Sequence, residues 1–188
     1  MNKTLIITHK NCSDGCCSQA IFKTKYHDAD YLELDHINLD IKKDRNAQKY
    51  IEFIKSYSNS KIIMADFCLP NYLLVDLLAN NNSIVIIDHH ESNIKEFQPL
   101  LDTKKSGVNV NIDVNFCYDN KNSGAMLSWK YLYPEIEPPL SIKHISYGDT
   151  WNFELGERTK HFYSGLMANF KDPDSAPKEF WTELLNDS

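Results

Sequence analysis

The sequence predicts an α/β fold: a mostly parallel β-sheet with helices on both faces, followed by a helical C-terminal tail. Short apolar runs alternate with longer amphipathic stretches through the first two thirds of the chain. Such alternation is the pattern of βαβ units, and hence of parallel strands. The runs are close to continuously apolar, as strands covered on both faces are.

Residues 4–8 (TLIIT) read as a buried strand and residues 16–26 as a helix. Residues 31–34 give a second strand. Residues 47–57 give a helix with Tyr50, Ile51 and Ile54 on one face. Residues 61–65 (KIIMA) form a third strand, and a helix follows over 71–79. Asn80, Asn81 and Asn82 read as the turn after it. Residues 83–87 (SIVII) are a fourth strand. Residues 108–114 form a fifth, whose alternation suits a sheet edge. From Ser123 the pattern is mostly helical, broken at Pro134, Pro138, Pro139, Pro173 and Pro177. We therefore expect one domain over residues 1–156. A helical extension, 157–188, would pack on it with helices over 159–169 and 177–185.

Composition narrows the function classes. The 188 residues suffice for one domain with a real core, or for a domain plus a small appendage. A net charge of −6 argues against a broad basic surface for duplex DNA. Only two arginines, Arg45 and Arg158, are present, so a bound phosphate would rely on lysines, backbone N–H groups or metal. No apolar run approaches the ~20 residues of a membrane span, and the start lacks a signal-peptide core. Five cysteines (Cys12, Cys16, Cys17, Cys68, Cys117) are an odd number. They read as free thiols of a cytoplasmic protein, and without paired CxxC motifs a structural zinc ribbon is not expected.

Chemistry collects where the strands end. TLIIT runs into His9, KIIMA into Asp66, and SIVII into Asp88-His89-His90, while the helical stretch 141–148 runs into Asp149. In parallel sheets, ligands bind beyond the carboxyl ends of the strands. A single Asp after a strand is usually a turn or cap residue. Two histidines beside an Asp, in the company of the others, point instead to a metal centre. Oxygen and imidazole ligands suit Mn²⁺, Mg²⁺ or Zn²⁺. Two such ions ~4 Å apart can activate water and stabilise an in-line displacement at phosphorus. His27, His36, His144 and His161 read as ordinary surface or core histidines, and Cys16 and Cys17 as packing residues.

These segments resemble the DHH phosphoesterase superfamily, named for its Asp-His-His motif. His9 to Gly15 resembles the first motif, Asp66-Phe67 the second, Ile87-Asp88-His89-His90 the third, and Tyr147-Gly148-Asp149-Thr150-Trp151 the fourth. Ser123 to Leu127 resembles the segment between motifs three and four. The resemblance implies that His9 binds one divalent cation, Asp14 the second, and that Asp66 bridges them, with His89 and Asp149 completing the second site. Asp88 would orient a histidine. His90 would face the substrate phosphate as donor or acid, and Ser123 and Gly124 would also touch substrate. Metal-activated water would be the nucleophile, with Mn²⁺ expected first and Mg²⁺ or Zn²⁺ as alternatives.

There are two departures. Cys12 stands where the first motif normally has an acid; as a thiolate it would be a ligand favouring a softer ion, and as a packed thiol it would leave that site weak. Many members of the superfamily carry a second, DHH-associated domain with a glycine-rich clamp, and no Gly-Gly-Gly-His run occurs in these residues, so substrate holding is expected to be reduced or supplied by a partner or a second copy. The expected activity is hydrolysis of a phosphodiester or phosphomonoester of a small nucleotide, either a short single-stranded oligonucleotide or a cyclic nucleotide. A homo-oligomer could form through the helical tail. The rival readings are a weakened relative that binds or sequesters a nucleotide, and a subunit that needs a partner for activity.

Overall fold

The computed structural model describes residues 3–116, 122–152, 154–170 and 172–186. Five strands, β1 (Thr4–His9), β2 (Asp30–Leu34), β3 (Lys61–Ala65), β4 (Ser83–Asp88) and β5 (Ile112–Phe116), form one sheet in the order β2-β1-β3-β4-β5. Every neighbouring pair is parallel. The helices are α1 (Ser13–Lys23), α2 (Ala47–Lys55), α3 (Asn71–Ala79), α4 (Ile94–Lys105), α5 (Gly124–Leu132), α6 (Leu140–Asp149), α7 (Glu157–Asn169) and α8 (Lys178–Glu183).

Strand order and handedness together fix the layers. From β1 the chain steps one way to β2, then passes back over β1 to β3 and continues outward to β5. Right-handed crossovers then place α1 on one face and α2, α3 and α4 on the other. The core divides accordingly. Leu5, Ile7, Ile62, Met64, Ile84 and Ile86 face Ile54 of α2, Leu73, Leu74 and Leu77 of α3, and Phe97 of α4. The alternate residues Ile6, Ile63, Val85 and Ile87 face Phe22 of α1 and Leu127 of α5. Both sets are buried, which is why the strands read as unbroken apolar runs. The expected face of α2 is the one used: Ile54 is buried, and Tyr50 and Ile51 pack beside it.

A third cluster lies outside α1. Cys16, Cys17, Ala20 and Ile21 meet Ala125, Met126 and Trp129 of α5, Ile142 and Ile145 of α6, and Leu166, Ala176 and Trp181 of the C-terminal segment. The tail thus buries its apolar side chains against α1 and its neighbours. No helix among the described residues is long and apolar enough to cross a membrane.

Three boundaries differ from the sequence expectation. Helix α1 opens at Ser13, earlier than residue 16, so Asp14 lies in its first turn. Strand β5 spans Ile112–Phe116 instead of 108–114. Helix α4 has no counterpart in the sequence reading: Pro99 lies inside it, removing one i→i−4 hydrogen bond. The triple-asparagine turn is as expected, and Asn82 is buried in it. Its Oδ1 accepts from Ser60 N–H, and its Nδ2 donates to the Tyr57 and Leu77 carbonyls. The described cysteines Cys12, Cys16, Cys17 and Cys68 are free thiols; Cys117 lies outside the described residues.

Candidate metal centre

The crevice between the carboxyl ends of β1 and β3 is the point where strand order reverses, the place where such sheets bind ligands. His9 ends β1 there. The chain then turns through Asn11, whose φ is 54°, and Cys12 precedes α1. A Cβ at Gly15 would lie 2.1 Å from the His9 carbonyl oxygen, so only glycine lets α1 start this close to the strand end. Asp66 follows β3 with φ 57°, and its N–H donates to the Ile87 carbonyl at 2.9 Å. A left-handed backbone at a non-glycine residue is costly and clusters at functional sites. Here it turns the Asp66 side chain toward the motif that ends β4. Asp149 arrives last, as the final residue of α6.

These side chains converge. His89 Nε2 lies 3.3 Å from Asp66 Oδ1, 3.3 Å from Asp149 Oδ2 and 3.7 Å from Asp14 Oδ2. His9 Nδ1 lies 3.6 Å from the other Asp66 oxygen, Oδ2. Three ligand groups result: His9 with Cys12 and Asp66; Asp66 with His89 and His90; and Asp14 with His89 and Asp149. Asp66 belongs to two of them and turns one oxygen to each side. Ligands bound to one small divalent cation at about 2.1 Å sit about 3–3.5 Å apart, which matches the closer contacts.

The hydrogen-bond accounting supports the same reading. Asp66 Oδ1 and Oδ2, Asp14 Oδ2, His9 Nδ1 and His89 Nε2 are buried, and none makes a hydrogen bond within the chain. Buried polar atoms are almost always satisfied. Five unsatisfied atoms aimed at one another fit a site built for divalent cations.

Charge is unevenly held. Burial raises the Asp14 carboxyl well above the usual range, and the Asp66 and Asp149 charges push it further. Asp149 is raised for similar reasons. Burial also acts upward on Asp66, but the imidazoles of His89, His9 and His90 outweigh it, and the carboxyl ends below its ordinary value. The Cys12 thiol is pushed up by burial and by Asp66 and Asp14. Without a cation it stays protonated, and ligation there must displace a proton.

Asp88 is fully buried and points the other way. One oxygen accepts from the backbone N–H groups of His89 (2.8 Å) and His90 (3.1 Å) and contacts His90 Nδ1 at 2.8 Å. Its second oxygen accepts from Asn93 Nδ2 at 2.7 Å. It is placed as expected for a residue that orients a histidine. His90 is 37% exposed, with its pKa pushed up to about 9, chiefly by the hydrogen bond to Asp88.

Ser123 and Gly124, expected to touch substrate, are both buried and lie against the carboxylates of the centre. Ser123 Oγ donates to Asp14 Oδ1 at 2.5 Å, and the Ala125 N–H donates to the same oxygen at 2.9 Å. The N-terminus of α5 thus holds one Asp14 oxygen and leaves the other for the centre. A Cβ at Gly124 would lie 2.5 Å from Asp66 Cβ, so glycine is required for α5 to approach. Sequence reasoning missed Asn93, which anchors Asp88, and Ser146, whose hydroxyl accepts from Ser123 N–H. Neither carries a periodic or motif signal; only the proximity of Asn93 to Asp88 hinted at it. Of the other histidines, His144 is a buried core residue against Thr159 and Phe162, while His27 and His161 are exposed. His36 is exposed but stacks on Phe67, 4.9 Å between ring centroids, at the edge of the site.

Three comparisons bear on identity. Residues 3–143 match the family described as DHH family, N-terminal domain. Asp149 lies just beyond the matched stretch. A curated relative, the uncharacterized protein R106 of Acanthamoeba polyphaga mimivirus, is 26% identical over 167 residues, covering 85% of this chain and 37% of its own length. The chain therefore spans little more than a third of that relative. The fold resembles the crystal structure of an uncharacterized protein from Helicobacter pylori G27, with TM-score 0.57 and 14% identity, covering 85% of this chain and 47% of the other. RecJ from Thermus thermophilus, solved in complex with Mn²⁺, aligns with TM-score 0.40 and 15% identity over 77% of this chain and 20% of its own. With the family matched over most of its length, the chain belongs to the DHH family, a family of metal-dependent phosphoesterases.

Proposed function

We propose that this chain is a divalent-metal-dependent phosphodiesterase acting on a small nucleotide, a short single-stranded oligonucleotide or a cyclic nucleotide. The observation that carries the proposal is Asp66, which offers its two buried, unbonded oxygens to two separate ligand groups. A bridging carboxylate lets two cations sit close by offsetting their repulsion. Bound cations would supply Lewis acidity and an activated water for in-line displacement at phosphorus. Mn²⁺ is the ion proposed first, with Mg²⁺ or Zn²⁺ as alternatives for the same donors.

The protein's own groups do the rest. His9, Cys12, Asp14, Asp66, His89 and Asp149 hold the ions. Asp88 fixes His90 through Nδ1, which leaves Nε2 as the donor toward substrate. The hydrogen bond to Asp88 favours the charged form of that ring. It can then bind a phosphate oxygen or protonate the leaving oxygen. Free thiols throughout the described cysteines suit a cytoplasmic setting.

Trp151 supports a small nucleotide substrate. It lies two residues past Asp149, is 82% exposed, and has φ 54° in the turn after α6. An exposed indole two residues along the chain from Asp149 would offer a platform for one base, which suits a short ligand better than a long strand. Base stacking contributes about 1–3 kcal/mol. Trp151→Ala is therefore expected to raise KM roughly tenfold or more with kcat and Mn²⁺ affinity nearly unchanged. An unaltered KM would remove Trp151 from substrate recognition.

Cys12 in the first ligand group favours a second reading, a relative that binds nucleotide without cutting it. Mass spectrometry separates the two. Protein loaded with Mn²⁺, and separately with Zn²⁺, is incubated with pooled dinucleotides, cyclic dinucleotides and cyclic mononucleotides. Appearance of hydrolysis product supports the phosphodiesterase. Retained nucleotide without product, under saturating metal, overturns it in favour of the binding protein.

A further inference from the structure

The C-terminal segment reaches back to the turn that carries the first metal ligands. The Asn11 N–H donates to Asp174 Oδ1 at 2.9 Å, and Cys16 Sγ contacts the same oxygen at 3.4 Å. Asn11 lies between His9 and Cys12 and is held in the left-handed region, φ 54°. Asparagine tolerates that conformation better than most residues with a Cβ, though less freely than glycine, and a bond to its N–H helps to hold it.

Asp174 is itself held in place. It sits in a short 3₁₀ turn, Pro173–Ser175, closed by a reciprocal capping box. Asp172 Oδ1 accepts from Ser175 N–H at 2.9 Å, and Ser175 Oγ accepts from Asp172 N–H at 3.2 Å. On its C-terminal side, Ala176 and Trp181 are buried against Cys16 and Ala20 of α1. The apolar anchors fix the segment, and the capped turn aims one carboxylate at the Asn11 turn. The contributing residues of the C-terminal segment, Asp172 to Trp181, lie beyond residues 3–143, the stretch that matches the family.

We infer that Asp174 is a positioning residue, through which the C-terminal segment holds the β1–α1 turn in the form that presents His9 and Cys12 to a divalent cation. The inference rests on the metal-centre reading above. The tail is then part of the site's support, and the bond acts through its acceptor oxygen, not through charge.

Mn²⁺ titration calorimetry on the full chain tests this without any activity assay, alongside melting curves for each variant. Losing an outer partner of a metal site typically costs about 10–100-fold in affinity. Asp174→Ala is expected to weaken Mn²⁺ binding by about tenfold, whereas Asp174→Asn, which keeps an acceptor oxygen, stays close to wild type. Asn11→Gly added to Asp174→Ala is expected to recover much of the loss, because glycine adopts positive φ unaided. If the alanine variant fails to fold, Asp174→Ser, too short to reach Asn11, replaces it. Wild-type affinity in the alanine or serine variant overturns the inference, as does an asparagine variant as weak as alanine. Wild-type protein that binds no Mn²⁺ overturns the metal centre and this inference together.

Discussion

Asp66→Asn is expected to lower metal-dependent hydrolysis by at least about 10³-fold, since several kcal/mol of transition-state stabilisation come from the metal centre. The substitution is conservative in every other respect. Asparagine tolerates the left-handed backbone that Asp66 adopts at φ 57°. It also keeps the backbone N–H that donates to Ile87. What it removes is the negative charge shared between the His9 and His89 sides of the centre. A neutral amide cannot offset two neighbouring cations, so metal stoichiometry should fall along with the rate. Circular dichroism should show an unchanged fold. Product formation at the wild-type rate by Asp66→Asn would contradict its bridging role.

Divalent metal is expected to raise the melting temperature substantially. A ligand at a hundred times its Kd stabilises the native state by about 2.7 kcal/mol per site. For a chain of this size that is roughly 5–11 °C per ion. The effect is large here because the metal-free centre gathers three carboxylates, of which Asp14 and Asp66 carry buried, unbonded oxygens. Its pH dependence follows from Asp14 and Asp149, whose pKa values are raised in the folded state. The folded protein binds their protons more tightly than the unfolded chain does. Metal-free stability from these groups is therefore full below the ordinary carboxylate pKa, about 4, and is lost as pH rises through the raised values. Metal competes with those same protons. The metal-induced increase in melting temperature should thus be small near pH 5 and grow toward pH 8, as scanning calorimetry with and without Mn²⁺ would show. An increment independent of pH would mean that the metal does not bind at these carboxylates.

Much of this site was legible because each ligand follows a buried strand or ends a helix. His9, Asp66 and the Asp88-His89-His90 run stand where apolar runs stop. A parallel sheet then brings such ends to one edge whatever the loops do. The DHH motif added roles that spacing alone could not give, and the Asp88 carboxylate lies 2.8 Å from His90 Nδ1. What stayed hidden depends on contacts between distant segments. Ser123 was expected at the substrate because its segment resembles the one between the third and fourth motifs. Its hydroxyl is instead spent on Asp14, 109 positions away in sequence. Asp174 reaches Asn11 across 163 positions, and no local pattern encodes that. Helix α4 was hidden for a local reason, because Pro99 reads as a breaker but is accommodated within the helix. Helix α1 opens early because Gly15 lets its first turn close on the His9 carbonyl, a steric fact invisible in the string Cys12-Ser13-Asp14-Gly15.

The most direct test of the metal centre is a crystal structure of the protein grown with Mn²⁺, with diffraction measured at the manganese absorption edge. Anomalous peaks should lie among the side chains of His9, Asp14, Asp66, His89 and Asp149, with Asp66 in contact with more than one peak. Well-ordered crystals in which those side chains surround no anomalous density, with Mn²⁺ in excess, would contradict the account.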